Sequence, residues 1–134
     1  MLLRLIPAYG GDGTTHRITV MNDTGSNILT LFTTDILQLG NMQGYAGWLA
    51  SMGVTDATGT VTVFPTIRVQ VQLVRDGNTP WGNWIDELAI VKQPGPNVMR
   101  LSGFGIRNAL YLGTAPGNHV LAVAATKGGM ASLL

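Results

Sequence analysis

The chain has 134 residues, of which 46% are hydrophobic and 11% charged, and it contains 18 glycines and no cysteine. This length fits one domain with a buried core, and the composition argues against disorder and against a highly charged helical bundle. The formal net charge of +1 offers no basic surface for nucleic acid or anionic lipid, and the lack of cysteine excludes disulfides, thiolate metal sites and a cysteine nucleophile.

The apolar start of the chain, MLLRLI, is too short for a secretory signal before Pro7. No apolar run approaches the ~20 residues that a membrane span needs. We therefore expect a single domain over residues 1–134 that is cytoplasmic or otherwise intracellular, or that forms part of a longer chain.

The first forty residues predict two short strands and one turn of helix, at residues 16–21, 28–32 and 36–39. A glycine-rich turn at residues 10–13 precedes the first strand. Thr33-Thr34-Asp35 has the residue types of a helix N-cap, and Gly40 predicts the end of the helical turn.

The middle of the chain predicts β-hairpins. Strands at 48–54 and 60–64 are joined by the small polar sequence of residues 55–59, which predicts a long hairpin with a mobile tip. Residues 67–73 then alternate strictly between apolar and polar, which is typical of a strand with one buried face. Asp76-Gly77-Asn78 turns the chain, and residues 84–91 predict the returning strand.

The last third begins with Gln93-Pro94-Gly95-Pro96-Asn97, which cannot continue a central strand and predicts a loop. Residues 98–101 follow this loop, residues 106–112 predict a short helix after Gly103-Phe104-Gly105, and residues 119–125 predict a late strand. Many short strands with one or two helical turns indicate the all-β class.

The tetrapeptide Asp23-Thr24-Gly25-Ser26 interrupts a run of strand-forming residues. A strand enters it, and a strand and a helical turn ending in Leu39-Gly40 follow it, which resembles the active-site loop of retropepsin-like aspartic proteases. The hairpin at 48–64 falls where that family has its flap. Leu101-Ser102-Gly103, leading into residues 106–110, is similar to the element before the family's C-terminal helix. The resemblance implies an all-β, retropepsin-like acid protease half-barrel with a flap hairpin and one short C-terminal helix.

The same resemblance implies an aspartic endopeptidase in which a water molecule is activated between two carboxylates that share one proton. Asp-Thr-Gly occurs once in the sequence, so the second catalytic Asp23 must come from the other copy of a homodimer. Thr24, Gly25 and Ser26 would support the active site, with Thr24 bonding across the twofold axis. A Ser26 hydroxyl donating to the charged carboxylate predicts an acid-shifted activity profile.

For substrate binding, the resemblance implies Gly25 and Asn27 in the loop and Gly53 and Val54 in the hairpin, which would close over an extended peptide or polyprotein segment. It implies no metal or organic cofactor. Asn27 stands where an acid would pair with Arg107, so the role of that arginine stays open.

Several features also have ordinary structural interpretations. Asp23 alone could simply stabilise a turn, and the fold could persist in a catalytically silent dimerisation or peptide-binding module. We expect His16 and His119 at the surface and Asp86-Glu87 at a solvated strand edge. The three tryptophans are more often packed than exposed in a groove. The apolar chain ends either pack on the core or, as in retropepsin-like dimers, interleave with those of a second subunit.

Overall fold

The computed structural model describes residues 1–133 and consists mainly of β-strands joined by short loops. The strands are β1 (Leu2–Leu5), β2 (Thr15–Arg17), β3 (Leu29–Phe32), β4 (Trp48–Thr55), β5 (Val61–Val74), β6 (Pro80–Lys92), β7 (Tyr111–Thr114) and β8 (Leu121–Ala124). The α-helices are α1 (Thr33–Ile36), α2 (Phe104–Ala109) and α3 (Lys127–Leu133), and Pro7–Tyr9 forms a 3-10 turn. The all-β character expected from the sequence is confirmed.

Six strands form one sheet in the order β2-β1-β5-β6-β3, with β4 pairing to the first half of β5, and β7 and β8 form a separate hairpin. Strands β3 and β6 pair in parallel, and the other pairs of strands in this sheet are antiparallel. In the part of the chain that the structure describes, the strands form no closed barrel. No helix there is long and apolar enough to cross a membrane.

Strand β5 is the centre of the sheet. Its first half pairs with β4, its second half with β1, and its other edge with β6. The two strands predicted at 60–64 and 67–73 are therefore one continuous strand through Pro65. Its ladder with β4 shifts between Leu49 and Met52, opposite Pro65, so the missing N–H of proline falls at an irregularity.

The core lies between the inner face of this sheet and the segments that cross it. Its fully buried members include Leu3, Leu5, Leu29, Leu31, Leu39, Ile67, Val69 and Val71. Ile67, Val69 and Val71 are three of the four apolar positions in the alternating stretch at 67–73. Burying each such side chain contributes about 1.5–3 kcal/mol, so the alternation determines which face of β5 points inward.

Three predicted elements differ in the structure. The first helix begins at Thr33, so Thr33-Thr34-Asp35 lies within it and Phe32 is the N-cap residue. The helix expected at 106–112 ends at Ala109, because Tyr111–Thr114 pairs with β8. The strand expected at 16–21 is β2, which spans only Thr15–Arg17. Lys127–Leu133 forms α3, and β1 lies between β2 and β5. Interleaving of the chain ends with those of a second subunit stays a prediction.

A buried carboxylate, Asp35, joins three separate segments. It accepts two hydrogen bonds from Arg100, both of 2.8 Å, one from the Phe32 N–H at 2.8 Å, and contacts His16 Nε2 at 3.1 Å. The Asp35 side chain is only 2% exposed. Burial raises its pKa, but the bonds from Arg100, Phe32 and His16 outweigh burial and hold the pKa below its ordinary value. His16, expected at the surface, is therefore tied to the interior.

We expect Asp35→Asn to lower the free energy of unfolding at neutral pH by about 3 kcal/mol, because it leaves Arg100 without its charge partner. A lowered pKa means that the stabilisation is present above the ordinary aspartate pKa and is lost as pH falls through the folded-state pKa. Urea unfolding at several pH values measures this difference, with Asp76→Asn, in an exposed turn, as the matched control. Equal losses for both variants at neutral pH would contradict the role of Asp35.

Candidate functional site

The loop that carries Asp23 is closed at its base by one segment of the chain. Met21 donates its N–H to the Arg100 carbonyl at 2.8 Å and accepts from the Ser102 N–H at 2.9 Å. Beyond the loop, the Thr30 N–H donates to the Leu101 carbonyl at 3.0 Å. Residues 100–102 therefore lie between the two ends of the loop and hold both in one ladder.

Asp23 itself is partly exposed and its backbone is fully engaged. Its N–H donates to Ser102 Oγ at 3.1 Å, and its carbonyl accepts from the Ser26 N–H at 3.2 Å. One carboxylate oxygen, Oδ1, accepts from the Gly25 N–H at 2.9 Å. This last bond forms an Asx turn, so Asp23 does stabilise the turn in which it lies. The same bond fixes the carboxylate in one orientation at the tip of the loop.

Gly25 is required by this close contact. A Cβ atom placed on Gly25 would lie 3.2 Å from Asp23 Oδ1, which is tighter than ordinary van der Waals contact. The absent side chain therefore lets the backbone N–H reach the carboxylate. Thr24 and Asn27 are exposed on the same loop.

Arg107, on α2, donates hydrogen bonds to the backbone of the Asp23 loop. Nη1 donates to the Asp23 carbonyl at 2.9 Å and to Ser102 Oγ at 3.2 Å, and Nη2 donates to the Ser26 carbonyl. The guanidinium also lies 5.4 Å from the centre of the Phe104 ring. The open question about Arg107 thus has an answer: it binds loop carbonyls, and no acid at position 27 is needed.

Ser102 is a site residue that the sequence did not identify. Its hydroxyl is buried, with 2% of the residue exposed, and it accepts from both the Asp23 N–H and Arg107. The sequence offered little signal for this role, because the burial of the Ser102 hydroxyl, which makes it need a partner, comes from the fold.

The Ser26 side chain differs from the expectation. Its hydroxyl donates to the Ile28 carbonyl at 2.9 Å, two residues along the chain, and not to the Asp23 carboxylate. A hydroxyl has a single proton to donate. The acid-shifted activity profile expected from Ser26 therefore rests on a contact that this structure does not contain.

Glu87, on β6, lies beneath the start of α2 and was wrongly expected at a solvated edge. Only 4% of the residue is exposed, and Oε1 accepts from the Ile106 N–H at 2.8 Å. Burial raises its pKa above the ordinary value, although bonds from Ile106 and Gly105 and the charge of Arg107 act in the opposite direction. A Cβ on Gly105 would lie 2.2 Å from the Asp86 carbonyl, so glycine is what lets α2 approach β6.

The other predicted substrate-binding residues lie on a separate element. Gly53 and Val54 are in β4, where they pair with Val63 and Thr62 of β5. The hairpin tip is ordered by Asp56, whose Oδ1 accepts from the N–H groups of Thr58 at 2.8 Å and Thr60 at 3.1 Å. Within residues 1–133, no hydrogen bond joins this hairpin to the Asp23 loop.

Metal chemistry has no site among residues 1–133, where no group of three or more histidine, cysteine or acidic side chains could hold an ion. Comparison with known proteins identifies no relative: no protein-family model, curated protein or solved structure matches the chain.

We expect Arg107→Lys to lower the free energy of unfolding by about 1–3 kcal/mol, because an ammonium group cannot bond two carbonyls and a hydroxyl in the geometry of a guanidinium. Chemical denaturation measures the loss. Arg17→Lys is the control, since Arg17 makes a single exposed bond to Asn78. If the two substitutions lower the free energy of unfolding equally, Arg107 does not stabilise the loop.

We expect Glu87→Gln to change how stability depends on pH. Because the folded-state pKa of Glu87 is raised, its contribution is present below the ordinary glutamate pKa and is lost as pH rises through the folded-state pKa. As pH rises from the ordinary glutamate pKa through the folded-state pKa of Glu87, the wild type should lose stability, and the variant should lose less. Thermal unfolding across mildly acid to neutral pH tests this, with Asp86→Asn, at the exposed neighbouring position, as control. Parallel curves for Glu87→Gln and wild type would contradict it.

Proposed function

We propose that the protein is a retropepsin-like aspartic endopeptidase that works as a homodimer on extended peptides. The observation that carries the proposal is the Asp23 loop: a single partly exposed carboxylate at the tip of a turn, with its backbone fixed by Ser102 and Arg107. Preorganised groups of this kind are what an acid–base reaction at a peptide carbonyl needs.

The reaction needs two such carboxylates with one proton between them. The ionised carboxylate removes a proton from water, which attacks the peptide carbonyl carbon, and the protonated carboxyl gives its proton to the carbonyl oxygen. Collapse of the tetrahedral intermediate transfers a proton to the departing amine. Each chain supplies one Asp23, so the active site is complete only across a twofold axis.

The β4–β5 hairpin supports a peptide substrate. In a retropepsin-like half-barrel this hairpin would be the flap. Its exposed apolar side chains are Trp48, Leu49, Met52, Val61 and Val63. Among residues 1–133, its outer strand, β4, pairs only with β5, so one backbone edge stays available for an added strand. Apolar side chains beside a free strand edge suit an extended peptide with apolar residues.

A second candidate is a dimerisation or peptide-binding module that does not cleave. The bond from the Gly25 N–H to Asp23 Oδ1 favours it, because an Asx turn explains this aspartate without any chemistry. The two candidates differ in what the carboxylate does, so one substitution separates them.

We expect Asp23→Asn to reduce peptide cleavage by at least about 100-fold, because an amide cannot act as the general base. Dimerisation and thermal stability should change little. Cleavage of a mixed peptide library, followed by mass spectrometry between mildly acid and neutral pH, measures activity, and light scattering measures mass. Asp76→Asn is the control for loss of one acidic charge. A native dimer that cleaves no peptide in the library would favour the silent module.

A further inference from the structure

The outer face of the main sheet carries three arginines on three neighbouring strands. Arg17 is in β2, Arg4 in β1 and Arg68 in β5. Leu3 and Val69 are fully buried and point into the core, so Arg4 and Arg68, each next to one of them, point to the outer face. Arg17 shares that face, because its partner in the ladder lies two residues before Arg4.

The three arginines lie on one diagonal line across the strands. The register places Arg17 opposite Leu2. Two residues further along β1, Arg4 lies opposite Gln70. Arg68 comes two residues before Gln70 in the antiparallel strand β5, so it continues the same line. Diagonal neighbours of this kind are about 7–8 Å apart. We call Arg17, Arg4 and Arg68 the arginine diagonal.

The positive charge of the arginine diagonal is not neutralised by residues 1–133. The ion-pair contacts among these residues are those that Asp35 makes in the interior. Arg4 donates to the Gln70 amide oxygen at 2.9 Å. Arg17 donates to the Asn78 amide oxygen. Both acceptors are neutral, and each bond uses one of the five N–H groups of a guanidinium, so most donors stay available.

Arg4, the middle member of the diagonal, is held in place before any partner binds. Its guanidinium carbon lies 4.1 Å from the centre of the Trp84 ring, and its bond to Gln70 fixes the group from the side. Gln70 in turn donates to Asp86 Oδ1 at 2.9 Å, so this exposed acid on the next strand already has a partner. A side chain that is ordered in advance loses less entropy on binding.

The spacing and the small number of charges suit a short acidic peptide. In an extended peptide, side chains two residues apart lie on the same side and about 6.8 Å apart, which is close to the spacing of the diagonal. A guanidinium also matches the two oxygens of a carboxylate. Tight binding of nucleic acid typically uses about 6–10 phosphate contacts, which three arginines cannot supply.

We propose that the arginine diagonal is a docking site for an extended acidic segment of a partner protein, with glutamate or aspartate at every second position. Three carboxylates on one side of that segment pair with the three guanidinium groups. The site is independent of the proposed protease activity, because it uses only the outer face of the sheet and needs no second copy of the chain.

The test measures the binding of two fluorescently labelled peptides by anisotropy. One peptide alternates threonine with glutamate, and its control has glutamine in place of each glutamate. We expect the acidic peptide to bind and the control not to bind, and we expect added salt to weaken binding because exposed charges are screened. Equal binding of the two peptides, or no binding of either, would overturn the proposal.

Two matched variants test the position of the site. Arg68→Gln removes one charge from the diagonal and should weaken binding of the acidic peptide by about fivefold, the size expected for one exposed ion pair. Arg75→Gln removes the same charge from an exposed arginine just after β5, outside the diagonal, and should leave binding unchanged. Circular dichroism checks that both variants are folded. Equal weakening by both would mean that net charge alone attracts the peptide, which overturns the site.

Two further measurements identify the surface and its occupant, and both use the Asp23→Asn protein so that cleavage cannot affect them. Nuclear magnetic resonance of isotope-labelled protein should show shifts of amide signals in β1, β2 and β5 when the acidic peptide is added. Shifts confined to the Asp23 loop would overturn the docking site. A single-stranded oligonucleotide that binds more tightly than the acidic peptide, and that Arg68→Gln weakens, would overturn the choice of a peptide as the occupant.

Discussion

The structure around Asp23 depends on one constraint, that residues 100–102 lie between the two ends of the loop. Met21 bonds to Arg100 and Ser102, and Thr30 bonds to Leu101. Because the base of the loop is held by backbone bonds on both sides, the four residues at its tip can keep a tight turn while partly exposed. A loop without this base would have to order its polar backbone at an entropic cost of about 1–2 kcal/mol per residue.

Four charged residues surround that base. Asp35 pairs with Arg100, which precedes Leu101, and Arg107 bonds to the loop carbonyls. Glu87 accepts from the first turn of α2, the helix that carries Arg107. Removing one member of a buried charged network is costly because its partner stays buried and unpaired. The network therefore makes the loop position depend on elements far apart in sequence.

The proposed dimer connects this stability to function. The Gly25 N–H, 2.9 Å from the Asp23 carboxylate, orients this carboxylate within its own chain, and in the proposed dimer the carboxylate would form an acid–base pair with that of a second copy.

The sequence alone determined the local features. Alternation from 67 to 73 predicted the inner face of β5, Asp76-Gly77-Asn78 predicted a turn, and the hairpin at 48–64 is present because its signals lie close together in the chain. Tertiary structure decided the rest. The burial of Asp35 and Glu87, the bonds of Ser102 and Arg107, and the strand at Tyr111–Thr114 all depend on partners distant in sequence or on pairing that local propensity does not encode. Periodicity reports which residues face a core, whereas the partner of a buried polar group is set only when the chain has folded around it.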